Sequence, residues 1–296
     1  MAKVDFAQAL RNQNLTRHES QQTKRAVLRK KGSVMLNSVI SIVKEAAKLA
    51  VNAHYTIKNN GSVADVVTSA DIAVQNYLKQ KLQALIPSSG FLGEESDARE
   101  LNAEYIWIVD PIDGTMNFTR ALLNSAISVA LQHNGTVELG VVYNFFTDDL
   151  YCAEKGKGAF NNGTQIHVSN RPFSEGLLCT AFSAYRKQYA HVCFEIAEEL
   201  FPQCNDVRRL GSCAMELCYI AAGKCDFYFE LGICCWDSAA GELILREAGG
   251  DAYRFFAEDF LKKPLPMIAA NNTQNLQIIF KVVDKYFKKY NVTEIK

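Results

Sequence analysis

YIWIVDPIDGTMNFTR, residues 105–120, decides how the rest of the chain reads. An apolar run from Ile106 to Val109 heads toward a core, then delivers Asp110 and Asp113 on either side of Pro111 and Ile112. Proline fixes its own φ and keeps the preceding residue extended. The chain therefore turns so that two carboxylates and the Ile112 carbonyl can point into one small volume. Gly114 and Thr115 follow, with backbone N–H groups at the start of the next segment, where a phosphate oxygen is welcome. Two acids at the end of a buried strand either cap a helix or hold a cation.

Upstream, apolar residues at Val39, Ile42, Val43, Ala46, Leu49 and Ala50 recur every three or four positions, which predicts an amphipathic helix over 34–55. IKNNGSVADVV (57–67) reads as a loop leading into a short strand. TSADIAVQNYLKQKLQALIP (68–87) reads as a second helix, with Thr68 or Ser69 as N-cap, Val74, Leu78, Leu82 and Leu85 on one face, and Pro87 as its stop. FLGEES (91–96) and IWIVD (106–110) supply two short buried strands. Downstream, SAISVALQH and TVELGVVYNFF flank Asn134-Gly135, a strong hairpin signal. Short strands with glycine-bearing turns continue to Val168.

Past Pro172 strands and helices alternate. GLLCTAF (176–182) is a strand, and a helix lies near His191–Leu200. A strand follows near Asp206, then a helix in SCAMELCYIAAG (212–223) and a strand in DFYFEL (226–231). DSAAGELILREAG (237–249) is a helix ended by Gly249-Gly250. PMIAAN (266–271) is a strand, and a closing helix spans about Gln274 to Tyr290. The organisation expected is a basic extension over 1–33, a half over 34–174 with two helices on a largely antiparallel meander, and an alternating α/β half over 175–296.

The totals exclude several classes. The chain has 296 residues, long enough for a sizeable core, and is 48% apolar and 22% charged with a net charge of zero. Overall charge therefore does not support nucleic acid or an anionic membrane as partner. No apolar stretch approaches the roughly 20 residues of a membrane span, and no signal-peptide pattern opens the chain. The nine cysteines form no C-x-x-C pair and several lie in apolar runs. They read as reduced, mostly buried thiols in a cytoplasmic protein. Eight of the ten charges named over 1–31 are basic: Lys3, Arg11, Arg17, Lys24, Arg25, Arg29, Lys30 and Lys31 face Asp5 and Glu19. That arm reads first as a solvated extension and second as a partner-binding segment.

Five acids separate from the solvated ones: Glu94, Glu95, Asp110, Asp113 and Asp237 each follow apolar residues. Singly, Asp237 can be an N-cap and Glu94–Glu95 a surface turn. As a set they would be costly to bury without a cation, and hard oxygen ligands suit Mg²⁺.

WIVDPIDGTMNF (107–118) resembles the first signature of the inositol monophosphatase family, and WDSAAGELILREAGG (236–250) resembles the second. GEES (93–96) and ADVVTSAD (64–71) match in order and spacing, so the resemblance covers roughly residues 34–290. It implies an α+β fold, a layered αβαβα sandwich of the inositol monophosphatase and fructose-1,6-bisphosphatase type. It implies Mg²⁺-dependent, lithium-sensitive hydrolysis of small phosphate monoesters by a homodimer, with two or three ions. By motif, Glu94, Asp110 and the Ile112 carbonyl would hold a first ion, and Asp110, Asp113 and Asp237 a second, with Glu94 also facing a third. Glu95 would orient the ligands or reach them through water. Asp71 and Thr115 would orient and deprotonate the attacking water. Asp113, Gly114, Thr115, Glu230 and Asp237 would contact substrate, Glu230 through ring hydroxyls. Cys234 and Ala184 stand where other members have histidine and serine, which points away from strict inositol specificity. A fructose-1,6-bisphosphatase-like or nucleotide-directed phosphatase is the alternative, for which Arg186, Arg208 and Arg209 are candidate grips on a second phosphate. A regulator acting through the basic arm is a third reading.

Overall fold

The computed structural model describes residues 34–51, 56–59, 66–96, 101–182, 184, 186–256 and 260–294. The basic arm over 1–33 lies outside them, as do residues 52–55 of the helix expected over 34–55. The chain divides into two compact units, Met1–Ser41 and Ile42–Lys296. Of the first, the described part is the opening turns of helix α1 (34–51).

In the second unit, β1 (Ile57–Asn59) and β2 (Val66–Thr68) pair antiparallel and lead into α2 (Ser69–Leu85). Thr68 is the N-cap of α2, and Val74, Leu78 and Leu82 are buried at helical spacing. Next come β3 (Gly90–Gly93), β4 (Tyr105–Asp113), the short α3 (Thr115–Thr119), β5 (Ala126–His133), β6 (Thr136–Asn144), β7 (Asp149–Glu154), β8 (Ala159–Asn161) and β9 (Thr164–Ile166). Strands β3 to β9 lie side by side in sequence order in a seven-stranded sheet, with β3 and β4 parallel and the remaining pairs antiparallel. Asn134 and Gly135 both take positive φ, 46° and 81°, as a tight hairpin turn between β5 and β6 requires.

The chain continues through β10 (Leu177–Thr180), α4 (Ala190–Leu200), β11 (Asp206–Arg208), α5 (Cys213–Ala221), β12 (Phe227–Ile233), α6 (Cys235–Glu247), β13 (Asp251–Arg254), β14 (Leu265–Ala270) and α7 (Thr273–Tyr290). The five-stranded sheet runs β11-β10-β12-β14-β13, with β12–β14 and β14–β13 antiparallel. Helices α5 and α6 lie between the sheets. Their apolar residues share one core with Ile106, Ile108 and Val142 on one side and Tyr228 and Met267 on the other. A second core joins α4 and α7 to the far face of the five-stranded sheet through Val192, Ile196, Phe227, Phe229, Ile279 and Val283. With α2 against β3 and β4, the layers are αβαβα.

Close approach fixes α6. A Cβ on Gly140 of β6 would lie 2.8 Å from the Ala240 carbonyl, and one on Gly241 would lie 3.0 Å from Leu217 of α5. Small residues let the helix sit flat on the sheet, with its first turn over the ends of β4 and β5.

Several expectations change, among them the loop expected from Ile57, where β1 forms. The strand expected over 106–110 runs on to Asp113, because its register shifts by one residue between Asp110↔Ser128 and Asp113↔Ala126. Pro111 has no N–H to give the ladder, and a bulge is where a sheet tolerates it. The helix expected over 237–249 begins at Cys235, so its N-cap is Cys234 and Asp237 stands three residues inside. Strand β13 was not anticipated. It is a four-residue edge strand in which Ala252 alone is buried, too short for alternation to register.

Candidate metal centre

The bulge in β4 aims the acids. The Ile112 N–H donates to Asp110 Oδ1 at 2.9 Å, so the carboxylate supports the extra residue that Pro111 introduces. Across the ladder, Ser128 faces Asp110 and donates its hydroxyl to the Trp236 carbonyl at 3.1 Å. That bond ties the first turn of α6 to β5 and brings Asp237 over Asp110. Glu94 arrives from the turn after β3, the strand parallel to β4, and its N–H donates to the Val109 carbonyl at 3.2 Å. Ligand oxygens of Glu94, Asp110 and Asp237 then lie within 4.8 Å of one another.

Their electrostatics follow from that crowding. Burial, then the charges of Asp237 and Glu95, hold Glu94 well above the usual carboxylate range. Burial, then the charges of Glu94, Asp113 and Asp237, do the same to Asp110. Asp237 is pushed up to about 8 by burial and by Asp113, against the pull of its bonds to Asp110 and the Cys234 N–H. None of the three is ion-paired among the described residues. Desolvated, mutually repelling carboxylates with hard oxygen donors are what a divalent cation of the Mg²⁺ class requires, so the donor set fits that ion.

Asp113 is not within this trio. Its Oδ2 accepts from the Ser212 hydroxyl at 2.6 Å and from the Ala214 N–H at 2.7 Å, at the start of α5. Those bonds fix its carboxylate, and burial still raises it to about 6. The Ile112 carbonyl accepts from the Thr115 hydroxyl at 3.0 Å, and the same hydroxyl lies 3.3 Å from Asp71 Oδ1. Asp71 is fully buried, and its Oδ2 takes the Thr68 N–H at 2.8 Å and the Thr68 hydroxyl. Burial nevertheless raises its pKa.

Glu94, Asp110, Ile112, Asp113, Thr115 and Asp237 line one cavity of about 480 Å³, together with Glu95 and Gly114. Gly114 has φ 83° and a Cβ there would lie 2.9 Å from the Gly211 carbonyl, so only glycine fits. The Glu95 N–H donates to Gln75 Oε1 at 2.9 Å, which anchors that residue to α2. Glu230 also lines the cavity; its carboxylate accepts from the Tyr228 hydroxyl and is raised to about 7 by burial. Arg186, Arg209, Cys234 and Ala184 also line the cavity. Arg208 does not: it pairs with Asp206 on the surface, so it is removed from the candidate grips on a second phosphate.

Two contributors escaped the reading of the sequence. Ser212 holds Asp113, and its only local signal is that it precedes an apolar helical run as an N-cap. Glu216, buried in α5, accepts from the Leu210 and Gly211 N–H groups at 2.8 and 3.3 Å. Nothing in its neighbourhood in the chain announces that role.

Comparison with known proteins agrees with this geometry. The family model described as the inositol monophosphatase family matches residues 28–287. Among curated relatives, a protein named Nus factor SuhB from Escherichia coli K12 is 37% identical over 223 residues, covering 73% of this chain and 83% of its own. A protein of the same name from Pasteurella multocida is 38% identical over 191 residues, covering 64% and 72%. Among solved structures, extragenic suppressor protein suhB from Bartonella henselae superposes with a TM-score of 0.78 at 30% identity, over 85% of this chain and 99% of that one. Inositol monophosphatase from Anabaena superposes with a TM-score of 0.73 at 28% identity, over 86% and 97%.

Proposed function

Because the chain belongs to the inositol monophosphatase family, we propose that it is a Mg²⁺-dependent phosphomonoesterase acting on inositol 1-phosphate or a related small polyol or sugar phosphate. The observation that carries this reading is the trio Glu94, Asp110 and Asp237, with oxygens within 4.8 Å, in a cavity that Thr115 also lines.

In this reading Glu94, Asp110 and the Ile112 carbonyl hold a first ion, and Asp110, Asp113 and Asp237 a second, with Glu94 facing a third. When bound, Mg²⁺ offsets the carboxylate charge, polarises the phosphoryl oxygens and makes a water more acidic. The rest falls to the chain. Thr115 orients the attacking water, accepting its proton while donating its own toward Asp71. Burial raises Asp71, which suits it to that share of the proton, and the two Thr68 donors keep its carboxylate from turning. Ser212 and the Ala214 N–H hold Asp113 in one orientation. Gly114 and Thr115 N–H groups receive phosphate oxygens, Glu230 receives polyol hydroxyls, and Glu95 steadies the ligands from outside. Positioning and charge neutralisation lower the barrier, as expected where the protein does little covalent work.

All nine cysteines are free, which supports a reducing, cytoplasmic setting. Lithium inhibition and a homodimer belong to the same reading. A phosphate-release screen over inositol, sugar and nucleotide monophosphates tests it, with Mg²⁺, with chelator and with lithium. Mg²⁺-dependent release from polyol phosphates is expected, and release that persists in chelator would overturn the metal role.

A further inference from the structure

Helix α6 carries a polar stripe that the metal centre does not use. Ser238, Glu242 and Arg246 recur every four residues, so they share one face of the helix. All three bond to β13. Arg246 Nη1 donates to Asp251 Oδ1 at 2.8 Å and its Nη2 to the Ala252 carbonyl at 2.6 Å. Arg254 donates to Glu242 Oε2 through Nε at 2.9 Å and also through Nη2, and to the Ser238 hydroxyl through Nη1 at 3.1 Å. Burial works to raise Glu242, but the charges of Arg254 and then Arg246 hold it below the usual carboxylate range, so this anchor stays ionised at neutral pH.

Beyond the end of β13 the same arginine meets the cavity. Its side chain is only 8% exposed, and the ring of Phe260 stands 4.4 Å from its guanidinium carbon. Phe260 to Pro264 line the cavity that also holds Glu94, Asp110 and Asp237. We propose that Arg254 is a positioning residue that pins the segment 260–264 to α6, so that this wall of the cavity is built before substrate binds. The kinetic consequence rests on the phosphatase reading; the pinning does not.

A plainer role would be to fasten an edge strand. Yet β13 pairs with β14 over its whole length, from Asp251↔Ala270 to Arg254↔Met267, and Arg246 already holds its first half. What Arg254 adds is the hold on Phe260, past the last ladder pair. Its fork spends three N–H groups on α6 and leaves its face to the ring, a division that a lysine ammonium cannot make. Asp237 does not depend on it. The Ser238 hydroxyl donates to the Cys234 carbonyl at 2.8 Å, and the Cys234 N–H donates to Asp237 at 3.0 Å; neither bond involves Arg254. Removing the arginine therefore loosens the wall and leaves the acid in place. A wall that must be ordered at the moment of binding weakens substrate affinity, while the reacting groups keep their positions.

The test uses the full chain and two readouts. The first is native trypsin cleavage after Lys262, followed by mass spectrometry, which reports how often the segment leaves α6. The second is the split of KM and kcat for inositol 1-phosphate with Mg²⁺. Arg254→Ala should raise both the cleavage rate and KM by about 10-fold and leave kcat within about 2-fold, and Arg254→Lys should recover part of each. Phe260→Leu leaves every bond of the stripe intact and should act in the same direction, so it carries the test if Arg254→Ala fails to fold. Arg246→Ala removes a comparable set of bonds without reaching Phe260 and should leave cleavage and KM unchanged. Unchanged cleavage in the Arg254 and Phe260 variants would overturn the pinning. An equal effect from Arg246→Ala would reduce the stripe to a fastening of β13. Faster cleavage at constant KM, or a fall in kcat alone, would overturn the wall. If the unmodified chain releases no phosphate from any ester, the phosphatase reading falls, and the pinning stands or falls on the cleavage rates.

Discussion

At the start of α2, Asp71 accepts the N–H of Thr68 three residues back; at the start of α6, Asp237 accepts the N–H of Cys234 at the same spacing, 3.0 Å away. Locally the two aspartates do one job, closing a helix N-terminus. Their other contacts differ. Asp71 is surrounded by donors, with the Thr68 hydroxyl on one oxygen and the Thr115 hydroxyl near the other. Asp237 meets Glu94 and Asp110 instead. A cap uses one carboxylate oxygen, and the packing of the helix decides what the second one meets. Capping and ligation are therefore compatible roles for the same side chain, and a helix cap does not argue against a metal site.

The sharpest way to break this comparison is to neutralise each aspartate. Asp110→Asn or Asp237→Asn should lower Mg²⁺-dependent phosphate release by about 10³-fold or more; near-normal turnover in either would detach the trio from catalysis. Thr115→Ala should cost about 10²-fold in kcat with little change in KM, because it removes a proton-handling group and not a binding one. A rise in KM at constant kcat would reassign Thr115 to substrate binding.

Stability should respond with opposite signs. In chelator, Asp237→Asn removes a buried acid that must take up a proton or carry a desolvated charge in the fold, while Asn Oδ1 still accepts the Cys234 N–H, so the melting temperature should rise by about 2–4 °C. Asp71→Asn weakens bonds from Thr68 and should lower it by a similar amount. The same logic gives a pH dependence. Burial raises Asp113, Glu230 and Asp237 to about 6, 7 and 8 in the fold, from ordinary carboxylate values of 3.8, 4.5 and 3.8. Between about pH 4 and pH 8 the folded chain therefore retains protons that the unfolded chain has released, and stability falls as pH rises through that window. Thermal melts of the metal-free protein from pH 5 to 8.5 should fall by about 5 °C or more, and Mg²⁺ should flatten the curve; a rise with pH would contradict the crowded-carboxylate account. Thr68→Ala should be the smallest effect, about 1 kcal/mol by denaturant unfolding, for the loss of one N-cap.

How much was legible varies with the range of the cause. The hairpin at Asn134-Gly135, the N-cap at Thr68 and the apolar stripe of α2 are local and were read directly. The acids of the centre were found because each follows an apolar run, a mark of burial at that point in the chain. The bulge was missed because a proline after a strand looks like an ending. Only the pairing of Asp113 with Ala126 shows that the ladder resumes. Ser212 and Glu216 were missed because their partners, Asp113 and the loop at 210–211, give no periodic signal to either residue. Arg186 and Arg209 could be named but not placed, and Arg208 could not be told from its neighbour.

The sequence by itself determined most of the elements, the family and the residue types of the centre, since hydrophobic period, turn chemistry and motif spacing are local properties of a chain. Only the tertiary structure decided which carboxylates crowd together, which are satisfied by protein donors, and which arginines face the cavity. Those outcomes depend on α6 lying flat against Gly140 and on one extra residue in β4. Coulombic repulsion and desolvation act through space, and distance along the chain carries no measure of them.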